Sequence, residues 1–268
     1  MNDRLTEQSG TAAQPSWPTW LSRFILISGV VVGGVALVST LGIWVGLWDF
    51  RAGFALLAPA YGIAKWLAVI GLIITIGLFV FCRMRGISNG TRLSALAAVG
   101  TIAAALAYSI PLYYIPPEGV TYPVIHDVST DTVNPPVFVA VLPLRADAPN
   151  SVVYGEAKNT THETLAEMQT EAFPDLVTVV INEPTDVVFQ RALAAVNELG
   201  WELVAQVPEE GRIEATDTTF WFRFKDDVVI RIRPTAEGSE IDARSLSRVG
   251  LGDVGTNAKR LRAFFATL

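Results

Sequence analysis

FILISGVVVGGVALVSTLGIWVGL, Phe24 to Leu47, holds no charged residue over twenty-four positions, and a soluble domain has no use for so long an apolar run. Two further segments share its character: about Ile63 to Cys82, and Leu93 to about Ile110. Each approaches or exceeds the roughly 20 apolar residues that carry a helix across a bilayer core at about 1.5 Å per residue. The expected architecture is a membrane protein. Three transmembrane α-helices fill residues 23–115, after a disordered polar tail over 1–22. A proline-rich extended arm follows over 116–149, then an α+β soluble domain over 150–268 whose antiparallel sheet carries helices on one face.

Charge divides at the same place. Met1 to Gly119 holds seven Lys and Arg against four Asp and Glu, whereas Val120 to Leu268 holds thirteen against twenty-two, which accounts for the net charge of −6. An acidic soluble half lacks the cationic field that delocalised binding to nucleic acid requires, so nucleic acid is excluded as a partner. The only cysteine, Cys82, falls at the end of the second span, leaving the soluble half with no disulfide, thiolate or sulfur-ligated metal. Two histidines, His126 and His162, are too few for a histidine-rich cluster. No metal or cofactor is expected. No convincing cleavage site follows the polar N-terminus, which is expected to be retained.

The loops set an orientation. Arg83, Arg85 and Arg92 make the connection after the second span the most cationic in the chain, and Arg4 and Arg23 agree with it at the N-terminus. Short basic loops stay in the cytoplasm. Three crossings then leave the C-terminal domain outside, in the periplasm if the membrane is the inner membrane of a Gram-negative bacterium. Trp17, Trp20, Trp44, Trp48, Tyr61, Trp66, Tyr108, Tyr113 and Tyr114 suit interfacial belts, and Lys65 can snorkel from its span. Gly29 with Gly33, and Gly42 with Gly46, form small-xxx-small steps for packing against the chain's own helices or against a second copy. Asp49 to Gly62, with Pro59, reads as a connector.

In the soluble part, Thr161 to Phe173 and Asp186 to Leu199 have helical apolar spacing, the second capped by Thr185 and ended by Gly200. Strand-like runs follow at Leu176 to Ile181, Trp201 to Val207, Arg212 to Thr218, Phe220 to Lys225, Val228 to Pro234 and Glu240 to Arg248, before a closing helix from about Thr256. Asp226 and Asp227 stand where a hairpin turn is expected. Alternation puts Ile230 and Ile232 on one face and Arg231 and Arg233 on the other; likewise Arg223 opposes its phenylalanines, and Asp242, Arg244 and Arg248 oppose Ile241, Ala243 and Ser245.

This arginine face admits three readings. It is a solvated lattice of ion pairs, an anion site built from guanidinium forks, or a surface covered by the proline arm, with Asp127 or Asp131 meeting an arginine. The residues singled out for anion or partner binding are Arg223, Arg231, Arg233, Asp242, Arg244 and Arg248. A lesser candidate is the polar loop His126, Asp127 and Asp131, since such residues can bind metal or move protons but more often build turns. GLGDVG, Gly250 to Gly255, reads as tight turns, not a dinucleotide loop. Asn159, Thr160 and Thr161 form a sequon that matters only on a eukaryotic secretory route. No catalytic residue is assigned.

The runs HDVSTD with NPPVF (His126 to Phe138), FPDL (Phe173 to Leu176), GW (Gly200, Trp201), IEATDTTFWFRFKDDVVIRIRP (Ile213 to Pro234) and DARSLSRVGLGDVGTNAKRLRAF (Asp242 to Phe264) resemble the bacterial family of unknown function DUF1499. The resemblance covers nearly all of Val120 to Leu268, and helices ahead of the domain resemble one arrangement within the family. It implies no activity. The polar residues it matches are Asp217, Asp226, Asp227, Arg231, Asp242, Arg244, Ser245, Ser247, Arg248, Asn257 and Arg260. The leading expectation is a non-enzymatic envelope protein whose outward domain binds a partner protein or an anionic lipid headgroup. The alternatives are a hydrolase or transferase using Asp217, Asp242 or His126, and a scaffold subunit of a membrane complex.

Overall fold

A computed structural model of the chain describes residues 15–112, 116, 119–156 and 164–268. It divides into two compact units, Met1–Tyr114 and Ile115–Leu268. The tail up to Gln14, the girdle tyrosines Tyr113 and Tyr114, the Asn159 sequon and the expected helix start at Thr161 lie outside the described residues.

The first unit is three helices, α1 (Trp17–Trp44), α2 (Phe50–Met84) and α3 (Gly90–Leu112), each long and apolar enough to cross a membrane. Their outward side chains are apolar, as a lipid-facing surface requires, and small residues bring the backbones together. A Cβ added at Gly29 would run into the Gly100 carbonyl oxygen of α3, and one at Gly33 would meet Ala103. The first glycine step therefore packs within the chain. Of the second, Gly42 receives the Trp48 indole, whose Nε1 donates to the Ser39 carbonyl at 3.1 Å, while Gly46 lies past the end of α1 in a turn at φ 74°. Thr75 and Thr101 hydrogen bond between α2 and α3 at 3.2 Å.

The expected connector over Asp49 to Gly62 is corrected. Asp49 caps α2 by accepting from the Ala52 amide at 3.1 Å, and the helix runs through Pro59. Neighbouring helices make an interior proline tolerable in a membrane span. At 35 residues, α2 is roughly 52 Å long at about 1.5 Å per residue, well beyond the about 30 Å hydrocarbon core.

The second unit is built on an antiparallel sheet in the order β1-β6-β5-β4-β3, with β2 also on β6. The strands are β1 (Asp127–Ser129), β2 (Val179–Ile181), β3 (Glu202–Val207), β4 (Arg212–Thr218), β5 (Lys225–Thr235) and β6 (Gly238–Ser247). Helices α4 (Leu165–Ala172), α5 (Thr185–Glu198) and α6 (Thr256–Thr267) join one core with one sheet face. There Ile213, Val228, Ile230, Ile241 and Ala243 bury against Val188, Phe189, Ala192, Leu261 and Phe264. Thr164 and Glu167 form a reciprocal capping box on α4. The Asp253 carboxylate takes the Gly255 and Asn257 amides at 2.8 Å each, which makes the glycine-rich run a turn that starts α6.

Two strand assignments change. Phe220 to Lys225 is not a strand, because residues 219–224 form the β4–β5 hairpin loop, closed by the Thr219 amide on the Phe224 carbonyl at 2.8 Å. Arg223 there has φ 55°. Asp226 and Asp227 are not the turn; they lie within β5, in register with Asp217 and Thr216 on β4 and with Ser247 and Leu246 on β6. Two adjacent aspartates persist in a central strand because each is met by arginine. The proline-rich arm also contributes β1, paired with Leu246 to Arg244, and a 3₁₀ turn at Leu142–Arg145.

Candidate functional site

The face opposite the helices is covered too. Phe138 and Val141 of the arm pack on Val229 and Leu246, with Val152 and Val204 beside them, so the arginine side of the sheet is a second interior. Polar groups there must be paired, since an unpaired buried charge costs several kcal/mol.

The pairing is extensive. Asp227, wholly buried, accepts Arg145 Nη1 at 2.5 Å, Arg248 Nε and Nη2 at 2.9 and 2.8 Å, and the Thr216 hydroxyl at 2.7 Å. Burial pushes its carboxyl upward, but the bonds from Arg248, Thr216 and Arg145 outweigh burial and hold it below the ordinary carboxylate range. Arg145, drawn from an unremarkable LPLR run, is itself lowered by burial against the pull of Asp227. Arg244 is held bidentately by Asp127, Nε to Oδ1 at 2.9 Å and Nη2 to Oδ2 at 2.7 Å, and donates to the Pro136 and Val152 carbonyls. Its guanidinium lies 5.1 Å from the Phe138 ring centre and 5.4 Å from that of Tyr154. Burial raises the Tyr154 hydroxyl's pKa.

Glu214, also wholly buried, accepts the backbone amides of Val139, Ala140 and Val141 and is paired with Arg212. Three successive arm amides thus converge on one carboxylate, the geometry of an anion nest satisfied from within the chain. At the sheet edge, Gln169 of α4 accepts the Ser129 amide at 2.9 Å and donates to the Ser129 carbonyl at 2.5 Å, doing for β1 what a further strand would do.

On the helix side, Arg260 of α6 donates to Asp217 at 2.8 Å, Asp226 at 2.6 Å, Ser245 Oγ and the side-chain Oδ1 of Asn257. Asn257 also donates to the His126 carbonyl and to Ser247 Oγ, both at 2.9 Å. The polar residues carried by the family resemblance therefore meet one another. They lock α6, β1 and the arm to the sheet.

Among the residues expected to bind anion or partner, Arg244 is enclosed, Arg248 is partly buried on Asp227, and Arg223 is exposed in the hairpin loop on no strand. Arg231 and Arg233 share Asp242 Oδ2 at 2.8 and 3.0 Å, and Arg231 also bonds Asp131 at 2.9 Å. Burial raises the Asp131 carboxyl, but the Asn134 and Val133 amides and Arg231 bring it below its usual value. The side chains of Arg231 and Arg233 are 18 and 35 % exposed, so this corner forms the rim of the face. Asp242 receives Thr130 and Thr178 as well.

The polar loop does not converge on a site. His126 is buried with Nδ1 3.1 Å from the Leu251 carbonyl, while Asp127 and Asp131 face different arginines. Among the described residues, no group of three or more His, Cys, Asp and Glu could hold a metal. Sequence reasoning missed Arg145, Glu214 and Gln169 as organising residues. The only signal was indirect, since buried acids on strands need donors from somewhere.

A family model described as "Protein of unknown function (DUF1499)" matches residues 127–268, from the first residue of β1 to the end of the chain. Among curated proteins, nothing matches.

Proposed function

Since the chain belongs to the DUF1499 family, whose function is unknown, we propose from the geometry that it is an integral membrane protein whose C-terminal domain binds and does not catalyse. The observation that carries this reading is the pairing of the acids buried in the sheet. Asp127, Asp226, Asp227 and Glu214 are buried in ion pairs, and none stands free as a general base. The enzymatic alternative would need Asp217, Asp242 or His126 to face a substrate, and each already serves an internal bond.

The ligand of this reading is an anionic group that competes at the rim with Asp131, Asp242 and Glu240 for the partly exposed guanidinium forks of Arg231 and Arg233. A lipid headgroup and an acidic partner protein both supply it. The arginine bias of the loops supports an N-terminus in the cytoplasm and a domain outside, which is periplasmic for a Gram-negative inner membrane.

The test is native purification of the full chain in mild detergent, with bound lipids and proteins identified by mass spectrometry, beside an Arg231→Ala, Arg233→Ala double variant. Wild type should carry an anionic lipid or an acidic protein that the variant loses at a temperature where both are folded; the variant's thermal midpoint should fall, because wholly buried Asp242 loses both its cations. The same bound species on both would overturn the rim as the site.

A further inference from the structure

Helix α2 carries a cation at a depth where lipid cannot solvate it. The pairing of α1 with α2 fixes that depth. A Cβ at Gly53 would meet Ser39 and Ile43, one at Gly71 would meet Ile25, and the Trp17 ring centre lies 4.7 Å from that of Phe81. Lys65 follows Gly53 by 12 residues and precedes Phe81 by 16, so it stands about 18 Å from one end of the paired stretch and about 24 Å from the other. A hydrocarbon core of about 30 Å centred on that stretch holds Lys65 about 12 Å below its nearer surface. Snorkelling serves a lysine near the start of a span, and α2 starts 15 residues earlier, at Phe50.

Among the described residues of this unit, the only carboxylate is Asp49, which caps α2 a full 16 residues before Lys65 and pairs with Arg51. The Lys65 ammonium makes no ion pair among the described residues; it lies 5.5 Å from the centre of the Trp66 ring, which is itself exposed. Ionisable side chains inside membranes face the bundle interior or water and find a partner there. Lys65 faces outward instead. The side of α2 that it shares admits a close neighbour. Ala58, Gly62, Lys65 and Val69 recur at helical spacing along that side, and all are exposed. A Cβ at Gly62 would meet nothing within 4 Å, whereas those at Gly29, Gly53, Gly71 and Gly100 would run into neighbouring helices. The chain's own packing uses those four glycines and leaves Gly62 over. Small residues four apart let a second helix approach closely, within reach of Lys65 one turn along.

We propose that this face of α2 docks a transmembrane helix of another protein, one that carries an aspartate or glutamate near the bilayer centre and pairs it with Lys65. Charge selects this occupant over a second copy, which would set lysine against lysine and brings no described acid at that depth. An anionic lipid headgroup lies too far from the mid-plane to serve. The inference rests on the membrane-spanning reading of α1 to α3 and owes nothing to the arginine rim.

The test uses the full chain, labelled with an acceptor fluorophore at its N-terminus, in phosphatidylcholine vesicles. The probes are donor-labelled transmembrane host peptides of leucine with alanine or glycine at every fourth position, identical except for aspartate, leucine or lysine at the centre. By energy transfer, the aspartate peptide should associate with wild type about 3- to 30-fold more tightly than the leucine peptide, the range that interhelical polar contacts give in membranes. Lys65→Leu should abolish that preference, and Lys65→Glu should transfer it to the lysine peptide. Equal association of the aspartate and leucine peptides with wild type would overturn the proposal, as would a preference for aspartate that survives Lys65→Leu. So would energy transfer between donor- and acceptor-labelled copies of the chain that Lys65→Leu removes, which would mean self-association through this face. Alkaline extraction of the same vesicles reads the spanning helices separately. A chain released to the supernatant would overturn the membrane reading itself, whereas a retained chain without the preference overturns the docking face alone.

Discussion

The two faces of the C-terminal sheet are both interiors, yet they are held by different physics. On the helix side, aliphatic and aromatic residues such as Val188, Ile230, Leu261 and Phe264 bury together, and burial of each large side chain is worth about 1.5–3 kcal/mol. On the arm side, Phe138, Val141, Val229 and Leu246 make only a small apolar cluster, and charged pairs fill the rest. Helix α5 packs by an apolar stripe, and α6 adds to its own stripe the single Arg260 cluster on Asp217 and Asp226. An irregular, proline-rich segment leaves amides and carbonyls unpaired, so the sheet must offer them carboxylates and guanidinium groups. Glu214 on the amides of Val139 to Val141, and Arg244 on the carbonyls of Pro136 and Val152, are that offer.

The contrast breaks first at Asp227. Asp227→Ala leaves buried Arg145 and partly buried Arg248 without their shared anion and should cost about 3–5 kcal/mol, as much as emptying the helix-side core with Phe264→Ala. Thermal unfolding of the full chain in detergent reads both, and a change under about 1 kcal/mol for Asp227→Ala would mean that the arm face is open to water. A smaller effect, about 1–3 kcal/mol, is expected for Glu214→Gln, because the new amide points a donor at backbone donors. Chemical denaturation of the two proteins side by side checks it.

Acid should separate the faces with the gentlest change. Asp227 and Asp131 have folded pKa values held below their unfolded ones, so their stabilisation is complete above the unfolded value of about 4 and is lost as pH falls through the folded value. Amide protection in the arm should therefore fall below about pH 4 before protection in α5 and α6 does. Simultaneous loss at both faces would count against separate origins of their stability.

Much of this was legible in the residues, and the failures have local causes. The three long helices follow from apolar runs that no soluble packing needs, although Pro59 concealed the first turns of α2. Alternation correctly divided Ile230 and Ile232 from Arg231 and Arg233. The hairpin was misplaced because Phe220 to Lys225 alternates like a strand, while Asp226 and Asp227 look like a turn until Arg260, Arg145 and Arg248 are seen to meet them. Alternation also cannot tell a polar face in water from one roofed by another part of the chain. That the arm could cover the face, with Asp127 or Asp131 on an arginine, was one of three readings, and both contacts are present. β1 was invisible as a three-residue strand among prolines, and Arg145 gave no sign of its role.

The most direct measurement is hydrogen exchange of the full chain at neutral pH, followed over the peptide that spans Val139 to Val141. If those amides are bound to buried Glu214 beneath a packed arm, they should exchange as slowly as the central strand β5, and Glu214→Gln should release them while β5 stays protected. Exchange at the rate of an unstructured loop in the unaltered protein would show that the arginine face lies open, and that the second interior does not exist.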